Sequence, residues 1–136
     1  MKSDAIKVAI EEGAAEIARL HARIHDTVRF RDSGPQQRDA WTQACSEFHS
    51  RFSELAFPGG YDGAIERIKA GDPFSIEAAI CFLEARPYFF RSGYMFSQIM
   101  RKVRRAKLEL DQAQRLEAVS QRQTLWRAKR QSENAT

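Results

Sequence analysis

Near the start of the chain, apolar residues recur at spacings of three and four, and this pattern predicts a long amphipathic helix. The stripe consists of Ile6, Ile10, Gly13/Ala14, Ile17, Leu20, Ile24 and Val28. We expect the helix to run from about Asp4 to Phe30, with Ser3 or Asp4 as its N-cap, since a short side-chain oxygen accepts an orphan backbone N–H. Gly34 and Pro35 follow it and are expected to interrupt the helix.

A second stripe of the same period follows and predicts a second helix that begins at Pro35, where a missing N–H costs nothing. Its apolar members are Trp41, Cys45, Phe48, Phe52 and Leu55. The segment FPGG at 57–60 ends it. Two long helices with matching stripes and a short connection predict an antiparallel hairpin.

Four shorter apolar patterns fill the rest of the chain. We expect Asp62 to cap a brief third helix that ends at Gly71, and Asp72-Pro73 to start a fourth that ends before Pro87. Ser92 is the expected cap of a fifth helix, and Asp111 starts a sixth. Their apolar positions are, in order, Ala64, Ile65, Ile68; Ile76, Ala79, Ile80, Leu83; Phe96, Ile99, Met100, Val103; and Leu116, Val119, Gln123, Trp126.

Strand signals are nearly absent, so the predicted fold class is all-α. We expect one helical domain over residues 1–136, a bundle of five to six helices in which a long antiparallel pair packs against shorter helices. Residues 131–136 are polar and are expected to fray.

Composition narrows the class of protein. The longest apolar runs are interrupted by charge and stay below the roughly 18 residues of a membrane span, and no secretory leader is recognised at the start. Cys45 and Cys81 fall at core positions of predicted helices, which predicts free, buried thiols in a reducing compartment. We therefore expect a cytoplasmic protein.

The net charge of +4 is unevenly distributed along the chain. Residues 1–86 contain 11 Lys/Arg and 14 Asp/Glu, whereas residues 87–136 contain 11 Lys/Arg and 4 Asp/Glu. The densest basic run, at 101–107, is expected to end the fifth helix and to cover most of its circumference. Such a surface suits phosphates or an acidic protein, and it also suits the dipole at a helix C-terminus.

The segment YFFRSGYMF at 88–96 joins the fourth and fifth predicted helices. One interpretation is a tight corner in which Phe89 or Phe90 packs into the core. The other is an exposed aromatic–arginine patch, since Tyr and Arg are enriched at protein interfaces. Both hold if the phenylalanines are inside and Tyr88, Arg91 and Tyr94 form the rim.

Candidate catalytic and metal-binding residues form only weak patterns. His21 and His25 are one helical turn apart and could form a two-ligand metal clip, but the pattern is far more typical of surface or boundary histidines. Cys45 and His49 share that spacing, yet no third orienting group is evident.

Glu77 and Glu84 lie two turns apart on one helix face. They could be an acid–base pair or could form ion pairs with Arg86 or Arg91. Glycine-rich phosphate loops are absent from the sequence. We therefore expect no enzymatic activity, no cofactor and no bound metal.

Taken together, FPGG at 57–60, the segment IEAAICFLEARPYFFRSGY at 76–94, a basic helix and the segment DQAQRLEAV form a recognisable set. The set resembles a family of small, uncharacterised bacterial all-helical proteins. The resemblance covers about residues 41–120, ends past Val119, is most specific at FLEARPYFFRSGY and implies no catalytic residue. Some small bacterial proteins of this type resemble immunity proteins of interbacterial toxin systems.

The function we predict is that of a non-enzymatic protein-binding module, in its sharper form an immunity protein that occludes the active site of a toxin. The expected partner-binding residues are Tyr88, Arg91, Tyr94, Arg101, Arg104 and Arg105. The acidic first two helices are the alternative face. A nucleic-acid-associated regulator that binds phosphates through residues 101–107 is the alternative function.

Overall fold

The computed structural model describes residues 2–135, and within them the chain forms six α-helices and no strand. The helices are α1 (Ser3–Val28), α2 (Pro35–Ala56), α3 (Ala64–Lys69), α4 (Pro73–Ala85), α5 (Ser92–Val103) and α6 (Leu110–Ala135). The predicted all-α bundle is confirmed. None of these helices is both long enough and apolar enough to cross a bilayer.

The first two helices form the predicted antiparallel pair. Contacts step backward along α2 as they step forward along α1. A Cβ atom built on Gly13 would lie 2.1 Å from the carbonyl oxygen of Leu55. Farther along α1, Glu16 accepts a hydrogen bond of 2.8 Å from Nη1 of Arg51. Only glycine at position 13 lets the two backbones approach this closely.

The helix α4 occupies the centre of the bundle. Residues 78–83 are all buried, and α4 contacts α1, α3, α5 and α6. The sequence pattern predicted only a single buried stripe for this segment. The whole circumference is buried because neighbours pack on every side, which is the usual position of a helix that is apolar all round.

The start of α4 follows the prediction from Asp72-Pro73. Oδ2 of Asp72 accepts the backbone N–H of Ser75 at 2.9 Å, and Pro73 is the first helical residue. The helix ends at Ala85, before Pro87. This N-cap fixes the start of the central helix and therefore the position of its far end, where the candidate site lies.

Other helix ends differ from the prediction. Neither α1 nor α3 has a side-chain cap, and the residue before α3 is Gly63 rather than Asp62. Ser92 is the first residue of α5, not its cap. Helix α5 also ends at Val103, so Arg104 and Arg105 lie in the turn that follows it.

Helix α6 has two unlike halves. Leu116 and Val119 are buried against the bundle, whereas residues 124–135 are all exposed. Its 26 residues extend about 39 Å. We refer to residues 120–135 as the α6 arm. The helix continues through Ala135 where fraying was expected, because Gln, Arg and Ala are good helix formers; residue 136, also in that expected tail, lies outside the described residues.

Candidate functional site: the joint between α4 and α5

Residues 86–91 form a short joint between the central helix and α5. Its two ends, Arg86 and Arg91, have φ angles of 47° and 70°. Inside the joint, Oγ of Ser92 accepts the backbone N–H of Phe89 at 3.0 Å. Left-handed φ angles cost a non-glycine residue about 1 kcal/mol. The surrounding packing therefore holds this turn in its shape.

Phe89 anchors the joint from inside. Its side chain is 8% exposed, and its ring centroid lies 6.0 Å from that of Phe52 and 6.4 Å from that of Phe82. One of the two predicted phenylalanines thus packs beneath the turn. The backbone of an anchored turn has little conformational freedom left to lose on binding.

The outward side chains are large and accessible. Tyr88 is 93% exposed and Phe90 is 46% exposed. The Phe90 ring lies 5.2 Å from the ring of His21 and 6.0 Å from that of Phe48, and the guanidinium carbon of Arg91 lies 5.5 Å above it. We refer to Tyr88, Phe90 and Arg91 as the joint surface.

A cavity of about 550 Å³ lies between the joint surface and α1. It is lined by Ala18, His21, Ala22, His25 and residues 88–93, none of which is acidic. The site therefore combines aromatic faces, a guanidinium and imidazoles. Of these groups, aromatic rings and guanidinium groups are enriched at protein–protein interfaces.

The structure brings two of the predicted partner-binding residues together at this surface, since Tyr88 and Arg91 both line the cavity. Tyr94 is 62% exposed but belongs to another side of α5. Its hydroxyl accepts a hydrogen bond of 2.9 Å from Gln98, whose amide oxygen accepts a hydrogen bond from Tyr61, just before α3.

Arg101 is exposed in the last turn of α5, about 14 Å from Ser92 by helical rise, and Arg104 and Arg105 are exposed in the turn after the helix. Nη2 of Arg104 donates to Oγ of Ser120 on α6 at 3.2 Å. The structure therefore does not gather all six expected partner-binding residues at one opening, and their role in binding stays a prediction.

A second opening, which the sequence did not predict, lies between the joint and the α6 arm. The guanidinium carbon of Arg86 lies 4.7 Å from the ring centroid of Phe96 and 5.2 Å from that of Trp126. The guanidinium carbon of Arg130 lies 5.3 Å from the Trp126 ring. The space beside this stack, which we term the α6 groove, has a volume of about 540 Å³. It is lined by Arg86, Pro87, Tyr88, Ser92, Gly93, Phe96, Ser97, Gln123, Trp126 and Arg127.

The carboxylates of α4 have partners other than those expected. Arg115 of α6 donates from Nη2 to Glu84 at 2.8 Å and from Nη1 to Glu77 at 3.0 Å. Nζ of Lys7 on α1 lies 3.1 Å from Glu84. The predicted ion pairs with Arg86 and Arg91 are absent from the described residues. The observed pairs join three helices.

Both of these carboxyl groups have lowered pKa values. Burial alone would raise the pKa of Glu77, but hydrogen bonds from Ser3, Gln112 and Arg115 outweigh burial and lower it to about 2. Burial likewise opposes the lowering of the Glu84 pKa, and hydrogen bonds from Arg115 and Lys7 prevail. An acid–base pair needs pKa values that are pushed apart, so this arrangement is suited to bridging helices.

The histidines and cysteines do not form a recognisable reaction centre in the described part of the chain. The rings of His21 and His25 lie 4.8 Å apart, and no group of three or more potential metal ligands occurs among residues 2–135. Burial, followed by the nearby Glu77, raises the pKa of the Cys81 thiol to about 11. Both cysteines are free, but Cys45 is only partly buried, which corrects the prediction of two core thiols.

No protein-family model, no curated protein and no solved structure matches the chain. The resemblance drawn from its motifs therefore stays a prediction, and function has to be argued from the site.

Proposed function

We propose that this chain is a protein-binding module that acts without catalysis, and that its partner contacts the joint surface. The main support is the 93% exposure of Tyr88 above a turn that Phe89 anchors in the core. Tyr and Arg are frequent binding hot spots. A turn that is already rigid loses little entropy on binding.

The more specific form of this proposal is an immunity protein that covers the active site of a toxin. The small size and all-helical style that the chain shares with some immunity proteins support it, and so does charge, because the linings of the cavity and of the α6 groove contain arginines and no Asp or Glu. This surface suits a toxin whose entrance is acidic. A toxin that cuts nucleic acid would instead suit the acidic face of α1 and α2.

A photo-crosslinking amino acid placed at position 88 in the native host tests the proposal. We expect one discrete protein adduct from position 88 and none from a control at Gln36, which is exposed at the start of α2. Absence of a protein adduct at position 88 contradicts the proposal. An adduct from the exposed Glu12 in its place would move the interface to the acidic face.

The captured partner then tests the immunity role. We expect the partner to arrest growth when expressed alone and to be harmless when expressed with this chain. Tyr88→Ala should weaken the complex about tenfold to a hundredfold, as hot-spot truncation does, and should reduce protection. A partner that is harmless alone eliminates the immunity role and leaves the binding module.

A second function is favoured by the unpaired cations at the end of α5 and in the turn after it. Arg101, Arg105 and Lys107 are exposed, and their side chains have no hydrogen bond or ion pair within residues 2–135. A nucleic-acid-associated regulator would use them to neutralise phosphates. Gel shifts with generic DNA and RNA should then weaken steeply with salt and with Arg104→Ala plus Arg105→Ala. No shift at low salt eliminates this function.

A further inference from the structure

We propose that the α6 groove binds an acidic segment of a partner protein, and that Arg86 is the residue that takes its carboxylate. This inference rests on the proposed protein-binding function and adds the chemistry of the partner at a second surface. The occupant is a peptide stretch rich in Asp or Glu.

The guanidinium of Arg86 packs on two aromatic rings at the edge of the groove. Its guanidinium carbon lies 4.7 Å from the ring centroid of Phe96 and 5.2 Å from that of Trp126. A guanidinium that packs on aromatic rings uses its flat faces for them and keeps its edge N–H groups for acceptors. The backbone N–H of Arg86 donates to Phe82, but no residue among 2–135 accepts a hydrogen bond from its guanidinium or forms an ion pair with it. A carboxylate fits such an edge with two parallel hydrogen bonds.

The second argument is charge. The groove lining contains the guanidinium groups of Arg86 and Arg127 and no Asp or Glu. Arg130 adds a third cation beside the Trp126 ring. The carboxylates of the central helix are already engaged by Arg115 and Lys7. The groove is thus left with cations that the described part of the molecule does not neutralise.

The third argument is backbone conformation. Arg86 adopts a φ of 47°, which glycine would adopt at lower cost. The arginine side chain nevertheless packs between Phe96 of α5 and Trp126 of the α6 arm. Strain of this kind is concentrated at ligand-binding positions.

Peptide is favoured over nucleic acid by the rest of the lining. Pro87, Tyr88, Phe96 and Trp126 supply apolar walls, and the volume of about 540 Å³ lies in the range of small-ligand pockets. Tight binding of a phosphate chain requires several cations. The basic run at 101–107 begins about 14 Å from Ser92 by helical rise, and none of its residues lines the groove.

Trp126 provides the readout. The chain contains two tryptophans, so Trp41→Phe leaves Trp126 as the only one. Capped hexaglutamate, capped hexaglutamine and hexathymidylate are titrated against this protein while Trp126 emission is recorded. We expect a saturable change with hexaglutamate that weakens as salt is raised, and a much weaker response to the other two probes.

Substitutions then locate the site. Arg86→Gln should weaken hexaglutamate binding by about tenfold or more, since it removes a charge-assisted hydrogen bond, and Arg127→Gln should weaken it by a smaller factor. Arg122→Gln is the matched control for Arg127→Gln, because Arg122 lies on the same helix, α6, but outside the groove lining. It should leave the affinity for hexaglutamate within about twofold of the unsubstituted value. Circular dichroism melts test whether each variant is folded. If Arg86→Gln unfolds the protein, the affinity of Arg127→Gln for hexaglutamate provides the test, because Arg127 is exposed.

Three outcomes overturn the inference. They are an equal response to hexaglutamine, tighter binding of hexathymidylate than of hexaglutamate, and unchanged affinity in both folded groove variants. Failure here is distinct from failure of the proposed function. Because Tyr88 lines both openings, the crosslinker is also placed at Arg91, which lines the cavity beside α1 and not the groove. Loss of the adduct at position 91 with hexaglutamate binding intact refutes the joint surface alone, and the reverse pattern refutes the groove alone.

Discussion

At Gly13 the backbone of α1 passes so close to α2 that a single added carbon atom would collide with it. The Cβ atom would lie 2.1 Å from the carbonyl oxygen of Leu55, whereas a Cβ on Gly93 in the first turn of α5 would meet nothing within 4 Å. The two glycines therefore offer a comparison in which the chemical change is the same and only the available space differs.

Gly13→Ala should lower the free energy of unfolding by about 1–3 kcal/mol, because the helices must separate to admit the methyl group. Gly93→Ala should be neutral or stabilising by up to about 1 kcal/mol, since alanine is the better helix former. Urea unfolding followed by circular dichroism measures both. Equal effects of the two substitutions would show that the close approach at Gly13 does not limit stability.

Among the elements, α6 combines a packed half with a projecting half. Leu116 and Val119 are its buried residues, and the arm contacts the joint through Trp126. Helix stability in proteins comes mainly from packing of one face. The two halves should therefore contribute unequally to folding.

Truncation after Ser120 should change the free energy of unfolding by no more than about 1 kcal/mol, the size of an exposed cation–π contact. Leu116→Ala in the full chain should cost about 2–4 kcal/mol, because it opens a cavity. Denaturant midpoints of the two variants provide the measurement. A truncation as costly as Leu116→Ala would mean that the arm is part of the core.

Local periodicity predicted the elements well. The stripes of α1 and α2 gave the antiparallel pair, and Asp72-Pro73 gave the start of α4. The extent of the basic helix was not predictable, because α5 ends at Val103 without a glycine or proline to mark the stop. Its end is followed by a turn that tertiary packing holds.

Site geometry was predicted only in part. Tyr88 and Arg91 were placed at the rim of the joint, and both line the cavity beside α1. The stack of Arg86 on Trp126 was missed, since the two residues are 40 positions apart and spacing along a sequence does not show which helices become neighbours. For the same reason, the sequence did not predict that Arg115 pairs with the α4 carboxylates.

At the scale of the whole molecule, Arg115 and Lys7 join α6, α4 and α1 through Glu77 and Glu84. The carboxyl groups ionise more readily in the folded chain than in the unfolded chain. Each therefore contributes stability that is present above its unfolded pKa of about 4.5 and is lost as pH falls toward the folded value, about 2 for Glu77.

Arg115→Met should therefore lower the free energy of unfolding at pH 7 by about 2 kcal/mol, the size of hydrogen bonds to charged groups. The difference from the unsubstituted chain should narrow as pH falls from about 5 to about 2, because protonated carboxyl groups no longer need the guanidinium. Thermal melts across this range measure it, with Arg122→Met as the exposed control. A difference that stays constant with pH would contradict the assignment.

The left-handed backbone at Arg86 and Arg91 affects which substitutions evolution would favour at these two positions. Selection for stability alone would favour glycine or asparagine at both positions, since these residues adopt positive φ angles at lower energetic cost. Such drift would remove two guanidinium groups from the outer surface while the helices stayed in place. If a lineage retains both arginines, binding to another molecule, rather than stability, would be the property that selects them.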